Sequence, residues 1–408
     1  MIISFLSLRK NAEKTMRIAH VISYYHEGFG YQENWLAAHQ IRMGHEVVVL
    51  TSDHYFPFPN YEATMAPKLG ERKVGVGTFS DGKIPVIRHR SFAHSIGPAG
   101  IIFFSISKSL RDFQPDCIHL HGATNPQLFE ILHVQKELGY RVFVDSHQDT
   151  KVEGSRKRIL HGGYYRLWRH LLHRRNLKQH VSRFLPITQG AQDWMQENLA
   201  FEAHEMTISP LGVDLDSMFF DSRERDSFRD EHNLHDQLVI VNAGKQYPGK
   251  RVDWVIDVAR EASNQNVPVA LVLVGHADPE YASLLTQRLE HFPGRVVRLP
   301  FLDRSALRRV YSGSDIGIWP GIPSNTIQEA MACRCGVILP NDDIVGHLVN
   351  GNGLKESEKP ENAAAFLKSL WHSPETLQRV QRTSEEMAKS LSWARITEDL
   401  VALYERYR

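Results

Sequence analysis

Residues Ile316–Pro340 read IGIWPGIPSNTIQEAMACRCGVILP, and the order of residue types in this stretch decides the fold. The apolar run Ile316, Ile318, Trp319 stops at Pro320-Gly321. The polar loop Pro323-Ser324-Asn325-Thr326 leads into helix formers with Glu329 one turn inside, and a second apolar run, Val337–Leu339, follows at once. That is strand, loop, helix, strand, the repeating unit of a parallel sheet. Ser324, Asn325 and Thr326 are all capping types, so one of them is expected to start the helix. The N–H groups behind it would face an anion, because ligands of open parallel sheets sit at the carboxyl ends of strands, against the N-termini of the following helices. Taken alone, the stretch also fits one packed α/β unit with no ligand.

The same pattern recurs on the N-terminal side. Leu238–Ala243, Val269–Val274 and Val296–Leu299 complete one series of strands with Ile316–Trp319 and Val337–Leu339. An earlier series comprises Ile18–Ser23, Glu46–Thr51, Ile84–Ile87, Cys117–Leu120, Val142–Val144 and Phe184–Ile187. Helical patterns at Glu33–Met43, Ile101–Phe113 and Gln127–Leu138 separate its members. Repeated βα units predict right-handed, doubly wound parallel sheets. Between the series, Ser209-Pro210-Leu211-Gly212-Val213-Asp214 is followed by the charged stretch Asp221–Asp236, which marks a boundary. The expected fold is therefore α/β, with two Rossmann-like doubly wound domains facing across a cleft. The first spans 16–213 and is completed by a C-terminal helix at about 390–408; the second spans 214–389. Residues 1–15 are expected to be a disordered extension, with Met16 opening the folded part.

A chain of 408 residues exceeds the usual single-domain size, and an apolar fraction of 42% suffices for two cores. A net charge of +1 argues against a nucleic-acid binder. Three cysteines and no N-x-S/T sequence favour a reducing, cytosolic setting. Cys333-x-Cys335 lacks a second ligand pair at zinc spacing and reads as a structural thiol pair. No apolar run approaches the roughly 18 to 20 residues needed to span a bilayer. The opening MIISFLSLRKNAEKT has its apolar patch before its charges, the wrong order for a signal peptide.

The chemistry concentrates in the second series. Gly244-Lys245-Gln246-Tyr247-Pro248-Gly249-Lys250-Arg251 follows one strand and precedes the helix of Val252–Ala259. Two ammonium groups at the carboxyl end of a strand, beside a helix N-terminus, suit a diphosphate. The plainer reading is a solvated surface loop. No G-x-x-x-x-G-K-[ST] sequence is present, so this is not a nucleoside-triphosphatase loop. Gly275 closes the neighbouring strand and permits close backbone approach to a ligand. Glu329 could accept both hydroxyls of a ribose, or serve locally in a capping box. Gly28-x-Gly30 opens like a dinucleotide fingerprint, but Glu33 stands where its third glycine belongs.

From Arg17 to its end the sequence resembles glycosyltransferase family 4. The landmarks are Gly30-Tyr31-Gln32, Gly44-His45-Glu46-Val47, Pro115-Asp116-Cys117-Ile118-His119-Leu120-His121 and Asp145-Ser146-His147. Further on come Ser209–Asp214, Gly244-Lys245 with Lys250, Glu329-Ala330-Met331-Ala332, Asn350–Leu354 and the closing Ser392-Trp393. Each is loose alone; in this order and spacing they are specific. The resemblance implies a GT-B fold and retaining transfer of a hexosyl unit from a nucleotide-diphosphate sugar, the donor on the second domain and the acceptor on the first. By position, Lys245 and Lys250 would grip the diphosphate, Glu329 the ribose, and the backbone near Leu302 the base. Gly30 would approach the phosphates, His147 would lie beside the transferred sugar, and His121 with His147 would face the acceptor. Gly275, Ser324, Asn325 and Thr326 would complete the donor site. No permanently bound cofactor and no divalent metal are implied; the nucleotide sugar is a co-substrate, and the leaving phosphate itself would take the acceptor's proton.

Two positions depart from the family. The acid usual eight residues before Glu329 is replaced by Gly321, which puts donor-sugar specificity in doubt, and Lys245 stands where arginine is commoner. Asp214-Leu215-Asp216 has the form of a metal motif but falls in the interdomain segment. Ser155–Ser182 contains no acidic residue, and its arginines interleave with Tyr164, Tyr165, Leu167, Trp168, Leu171 and Leu172. Such a helix either lies on an anionic membrane or packs its apolar face on the first domain. The leading reading is a cytoplasmic transferase, peripheral on the inner membrane face if that helix binds lipid. It would act on a glycan or lipid-linked acceptor in surface polysaccharide or glycoconjugate assembly. The alternatives are a catalytically silent glycan-binding or scaffold relative and, behind it, a nicotinamide-dependent oxidoreductase.

Overall fold

The computed structural model describes residues 15–58, 61–94, 101–149, 162–173 and 177–407. Packing divides the chain into two compact units. Met1–Ser146, Arg156–Leu185 and Leu400–Arg408 make the first; His147–Ser155 and Pro186–Asp399 make the second. The expectation for residues 1–15 falls, Thr15 apart, outside the described residues.

The strands of the first unit are β1 (Arg17–Val21), β2 (Glu46–Ser52), β3 (Gly77–Asp81), β4 (Ile84–His89), β5 (Ser91–His94), β6 (Ile102–Phe104), β7 (Cys117–Leu120), β8 (Arg141–Ser146) and β9 (Arg183–Pro186). Seven of them form a sheet of order β3-β4-β2-β1-β7-β8-β9, while β5 and β6 pair separately and antiparallel. The pairs linking β4, β2, β1, β7 and β8 are parallel, and β3 closes the edge antiparallel. The chain leaves β1 for β2 on one side and returns to β7 on the other, so β1 and β7 flank a topological switch point.

The helical pattern read across Ile101–Phe113 divides into β6 and a helix at Ser107–Phe113. Its first four residues, two isoleucines and two phenylalanines, suit a strand. The helix starts only afterwards, where the Glu130 carboxylate accepts from the N–H of Ile106 and Ser107 at 3.0 and 2.9 Å. That cap comes from another helix, beyond the reach of a local pattern.

In the second unit β10 (Leu238–Ala243), β11 (Val269–Val274), β12 (Arg295–Leu299), β13 (Ile316–Ile318), β14 (Gly336–Leu339) and β15 (Gly353–Lys355) form one sheet, β12-β11-β10-β13-β14-β15, parallel throughout. Every residue of β10 and β11 is buried. Val239, Val241, Val272 and Val274 enter one core, and Leu238, Ile240, Leu271 and Leu273 the other, so side chains alternate between two covered faces. The switch point lies between β10 and β13, which brings the loop after Ala243 beside the loop after Ile318. Asn242 fastens the two strands there, its side-chain amide donating to the Ile318 carbonyl at 2.7 Å.

Candidate functional site

At this switch point three loops meet. Gly244 and Gly275 have φ of 134° and 118°, and a Cβ on Gly275 would stand 2.1 Å from the Gly244 oxygen, so two strand ends touch through bare backbone. Pro248–Lys250 forms a 3₁₀ turn, Arg251 is left-handed, and the helix Val252–Asn264 follows. The third loop closes onto this turn: Ile322 N–H donates to the Gly249 oxygen at 2.9 Å. The Lys250 ammonium donates to the carbonyls of Ile322 and Pro323, each at 2.8 Å. Burial pulls its pKa down to about 8.

The two lysines therefore have different partners. Lys245 is half exposed and pairs with Asp278 at 3.2 Å, whereas Lys250 is held by the 322–323 backbone. Gly321, where the resemblance expects an acid, has no room for a side chain: a Cβ there would lie 2.2 Å from the Gly249 oxygen and 2.9 Å from Lys250 Cα.

The helix predicted after this loop is Thr326–Ala332, preceded by Asn325, whose side chain makes no capping bond. The Thr326 hydroxyl donates to the Ala243 carbonyl at 3.2 Å and is bonded to Ser324 Oγ at 2.9 Å, while Trp319 Nε1 also donates to Ala243 O at 3.1 Å. Thr326 thus anchors the loop to β10. Glu329 does not cap its own helix; its carboxylate lies 3.3 Å from Arg304. Burial pushes that carboxyl above its usual pKa, against the pull of Arg304. Leu302 packs partly buried against the core, and its neighbour Phe301 is 70% exposed.

His147, Ser324 and Asn325 share a cavity of about 230 Å³ with Asp149, Thr188 and Gln328. A second cavity, of about 590 Å³, lies along Arg251, Gly321, Asp342 and Lys355. Lys245, Lys250, Gly275, Leu302, Thr326 and Glu329 line neither.

Gly30 and His121 belong to the first unit. Gly30 has a φ of 68° in the loop ahead of the helix Gln32–Arg42. His121 is buried, and both its ring nitrogens are engaged: Nδ1 lies 2.6 Å from Asp145 Oδ2 and Nε2 3.0 Å from His20 Nδ1. The expected acceptor-facing imidazole is thus part of the interior. Sequence reasoning quoted His119-x-His121 and Asp145 as landmarks but missed their joining His20, Gln40 and Tyr404. The period-two spacing, which puts both histidines on one face of a strand, was the available signal.

Among the described residues, one group of three ligand types, His119, His121 and Asp145, has its ligand atoms within 4.8 Å of one another. The Asp145 oxygen that would face an ion is already bonded to both rings, so we assign no metal there. In Asp214-Leu215-Asp216, Asp214 accepts from Ser217 Oγ at 2.5 Å and from its own loop's Asp216 N–H, which makes it a turn former. Cys333 and Cys335 are buried thiols donating to the carbonyls of Phe219 and Tyr311.

The basic segment is described at 162–173 and 177–182; Arg156, Lys157, Arg158, Arg174 and Arg175 lie outside the described residues. Residues 162–173 are helical, with Tyr165, Trp168 and Leu172 buried. Trp168 stacks on Phe129 at 5.0 Å, and Tyr164 donates to the Thr124 carbonyl at 2.8 Å. The aromatic face therefore packs on the first unit, while Leu167 of the same helix is 54% exposed. Among the described residues no helix is long and apolar enough to cross one.

Residues 36–217 match the family described as Glycosyltransferase Family 4, and residues 224–387 match Glycosyl transferases group 1. Spore coat protein SA of Bacillus subtilis (strain 168) is 23% identical over 205 residues, covering 46% of this chain and 53% of that protein. A glycogen synthase of Caldicellulosiruptor bescii is 27% identical over 158 residues, 37% of this chain and 31% of that protein. The chain thus spans about half the length, or less, of these curated relatives. Among solved structures, Anabaena HepE in complex with UDP-glucose superposes with a TM-score of 0.65 at 16% identity, over 96% of this chain and all of that one.

Proposed function

Since the chain belongs to glycosyltransferase family 4 and has the GT-B fold, we propose that it transfers a hexosyl unit, with retention, from a nucleotide-diphosphate sugar to a glycan or lipid-linked acceptor. The observation that carries this is the ammonium of Lys250. Two carbonyls accept from it and hold it at the switch point, and partial burial lowers its pKa to about 8. A cation so placed gains more from a departing diphosphate than one in bulk water, because the surrounding dielectric is low and the geometry is prepaid. Lys245 adds a second, half-exposed charge, which would leave Asp278 for the diphosphate. Ser324 and Asn325, in one cavity with His147, are the proposed sugar-side contacts, and Glu329 with Arg304 the ribose-side group. Phe301 and Leu302 mark the base side.

The donor most worth testing first is UDP-glucose, because a solved GT-B relative holds it. The acceptor is proposed to be a growing surface glycan or its lipid-linked precursor, handled on the cytoplasmic side. Isothermal titration with UDP-glucose and GDP-mannose, coupled to an assay of nucleotide release, tests the proposal. Micromolar binding with slow release of nucleoside diphosphate supports it; absence of both, for every nucleotide sugar tried, overturns it.

One observation favours a second reading. Gly321 is closed off by the backbone of Gly249 and Lys250, so the sugar-binding acid of the family has no counterpart in its usual place. A relative that binds nucleotide or glycan without transfer would bind in the titration and release nothing.

A further inference from the structure

The first unit carries a buried polar layer at its own switch point, between β1 and β7. His20, His119 and His121 stack: the rings of His119 and His121 lie 4.5 Å apart and 11° from parallel, and His20 lies 5.3 to 5.4 Å from both. Their hydrogen bonds can be followed from one end. Gln40 presents its carbonyl oxygen to His20 Nε2 at 2.8 Å, which makes Nε2 the protonated nitrogen of His20. Burial and the two neighbouring rings hold His20 neutral, so its lone pair is on Nδ1. His121 Nε2, 3.0 Å away, must then donate. His121 Nδ1 lies 2.6 Å from the Asp145 carboxylate, which only accepts, so it donates there too. A histidine donating from both nitrogens is an imidazolium.

We propose that Gln40 and His20 are positioning residues that fix His121 as an imidazolium paired with the Asp145 carboxylate, giving the carboxyl end of β7 a standing cation in place of a base. The remaining bonds agree. His119 donates from Nε2 to the same Asp145 oxygen at 3.2 Å and accepts from the Tyr404 hydroxyl at 2.6 Å, while Gly122 N–H donates to the other oxygen at 2.8 Å. Against the pull of burial, Asp145 raises the affinity of His121 for its proton. The titratable groups facing His121 are His20 from β1, His119 beside it, Asp145 from β8, and Glu33 from the helix Gln32–Arg42. Tyr404 reaches the layer through His119. The carboxyl of Glu33 is buried, which raises its pKa to about 7. For the transferase reading, on which this consequence alone rests, the buried His121 would not serve as a base toward the acceptor. The acceptor's proton would then leave with the departing phosphate.

The test is nitrogen NMR of the full chain labelled with ¹⁵N-histidine, with the His121 signals assigned by their loss in His121→Asn. Both ring nitrogens of His121 are expected in the protonated range from pH 6 to 8. Gln40→Leu, close in shape, should let His20 turn its proton to Nδ1 and lower the His121 proton affinity about tenfold, one pH unit in midpoint. Gln40→Glu, which still accepts, should restore it. A neutral His121 in the unaltered chain at pH 7, or one midpoint shared by all three proteins, overturns the proposal. So does a stoichiometric shift of these signals by Zn²⁺, since a metal needs lone pairs where protons are assigned. Nucleotide-sugar binding is not used as a readout, so this proposal and the transferase reading can fail separately.

Discussion

The ammonium of Lys250 and the carbonyl of Pro323 are 2.8 Å apart, and through this contact the first loop of the β10–β13 switch point is fastened to the loop carrying Ser324 and Asn325. Lys250→Met should therefore have two separable effects. Leaving the carbonyls of Ile322 and Pro323 without a donor should cost about 1–3 kcal/mol of stability. Losing a preorganised charge on the leaving diphosphate should lower kcat about 10² to 10³-fold. Lys245→Met, removing a half-exposed ion pair with Asp278, should cost well under about 1 kcal/mol and reduce turnover less than about tenfold. Urea titration and initial rates on both variants check this; equal kinetic losses would mean that the two amines act together on the phosphate.

The protonation of Lys250 should be visible in ligand binding. Its pKa of about 8 means that below that pH the ammonium is already formed, and above it a proton must be taken up before a diphosphate gains the full attraction. UDP affinity should hold steady up to about pH 8 and then fall, by at most about tenfold per pH unit. Calorimetry in two buffers of different ionisation enthalpy at pH 8.5 should report net proton uptake on binding. Affinity that is flat from pH 7 to 9.5, with no proton uptake, would remove Lys250 from contact with the diphosphate.

Most of the sheet framework was legible because parallel strands covered on both faces read as continuous apolar runs, as in Leu238–Ala243 and Val269–Val274. β15 escaped notice because Gly353-Leu354-Lys355 is too short and too polar to register as such a run. β3, Gly77–Asp81, is an exposed edge strand with no apolar alternation to find. At the site, residue types gave the loops but not their partners. Nothing in the text of Lys245 and Lys250 says that one pairs with Asp278 and the other with backbone carbonyls, since both partners come from other elements. The imidazole layer was hidden for the same reason: strand order brings His20 to His119 and His121, and Gln40 and Tyr404 arrive on the separate helices Gln32–Arg42 and Trp393–Arg406.

Asp315 supports the second unit from beneath β13. Its buried carboxylate accepts from Arg229 at 2.6 Å, from Arg225 at 2.7 Å and from the Val239 N–H at 2.9 Å. Burial alone would raise its pKa; the two guanidinium groups more than offset that and hold it below the ordinary value. A carboxyl depressed in the folded state contributes stability that is present above its unfolded pKa, about 3.9, and lost as pH falls through the folded value. Arg229→Met should cost about 3–5 kcal/mol at pH 7, the range for breaking a buried pair from one side. The loss should shrink on acidification toward pH 3, where the carboxylate begins to protonate. Urea unfolding at a series of pH values checks both; a loss below about 1 kcal/mol at pH 7 would mean that Arg225 alone suffices.

Restoring the acid that the family carries should harm this protein. In Gly321→Glu the new Cβ would fall 2.2 Å from the Gly249 oxygen and 2.8 Å from the Lys250 carbonyl carbon, and backbone cannot move aside as the end of a flexible side chain can. The turn Pro248–Lys250 would have to shift, breaking the Ile322-to-Gly249 hydrogen bond and withdrawing the Lys250 ammonium from its two carbonyls. Overpacking of this kind costs about 1–3 kcal/mol. The expected result is a lower Tm together with UDP affinity reduced about tenfold or more, with Gly321→Ala showing a milder form of both. The opposite result, an unchanged Tm with faster nucleotide release, would show that the loop opens readily. Gly321 would then be a lost sugar contact, and the packing of Gly249 and Lys250 against it would be incidental.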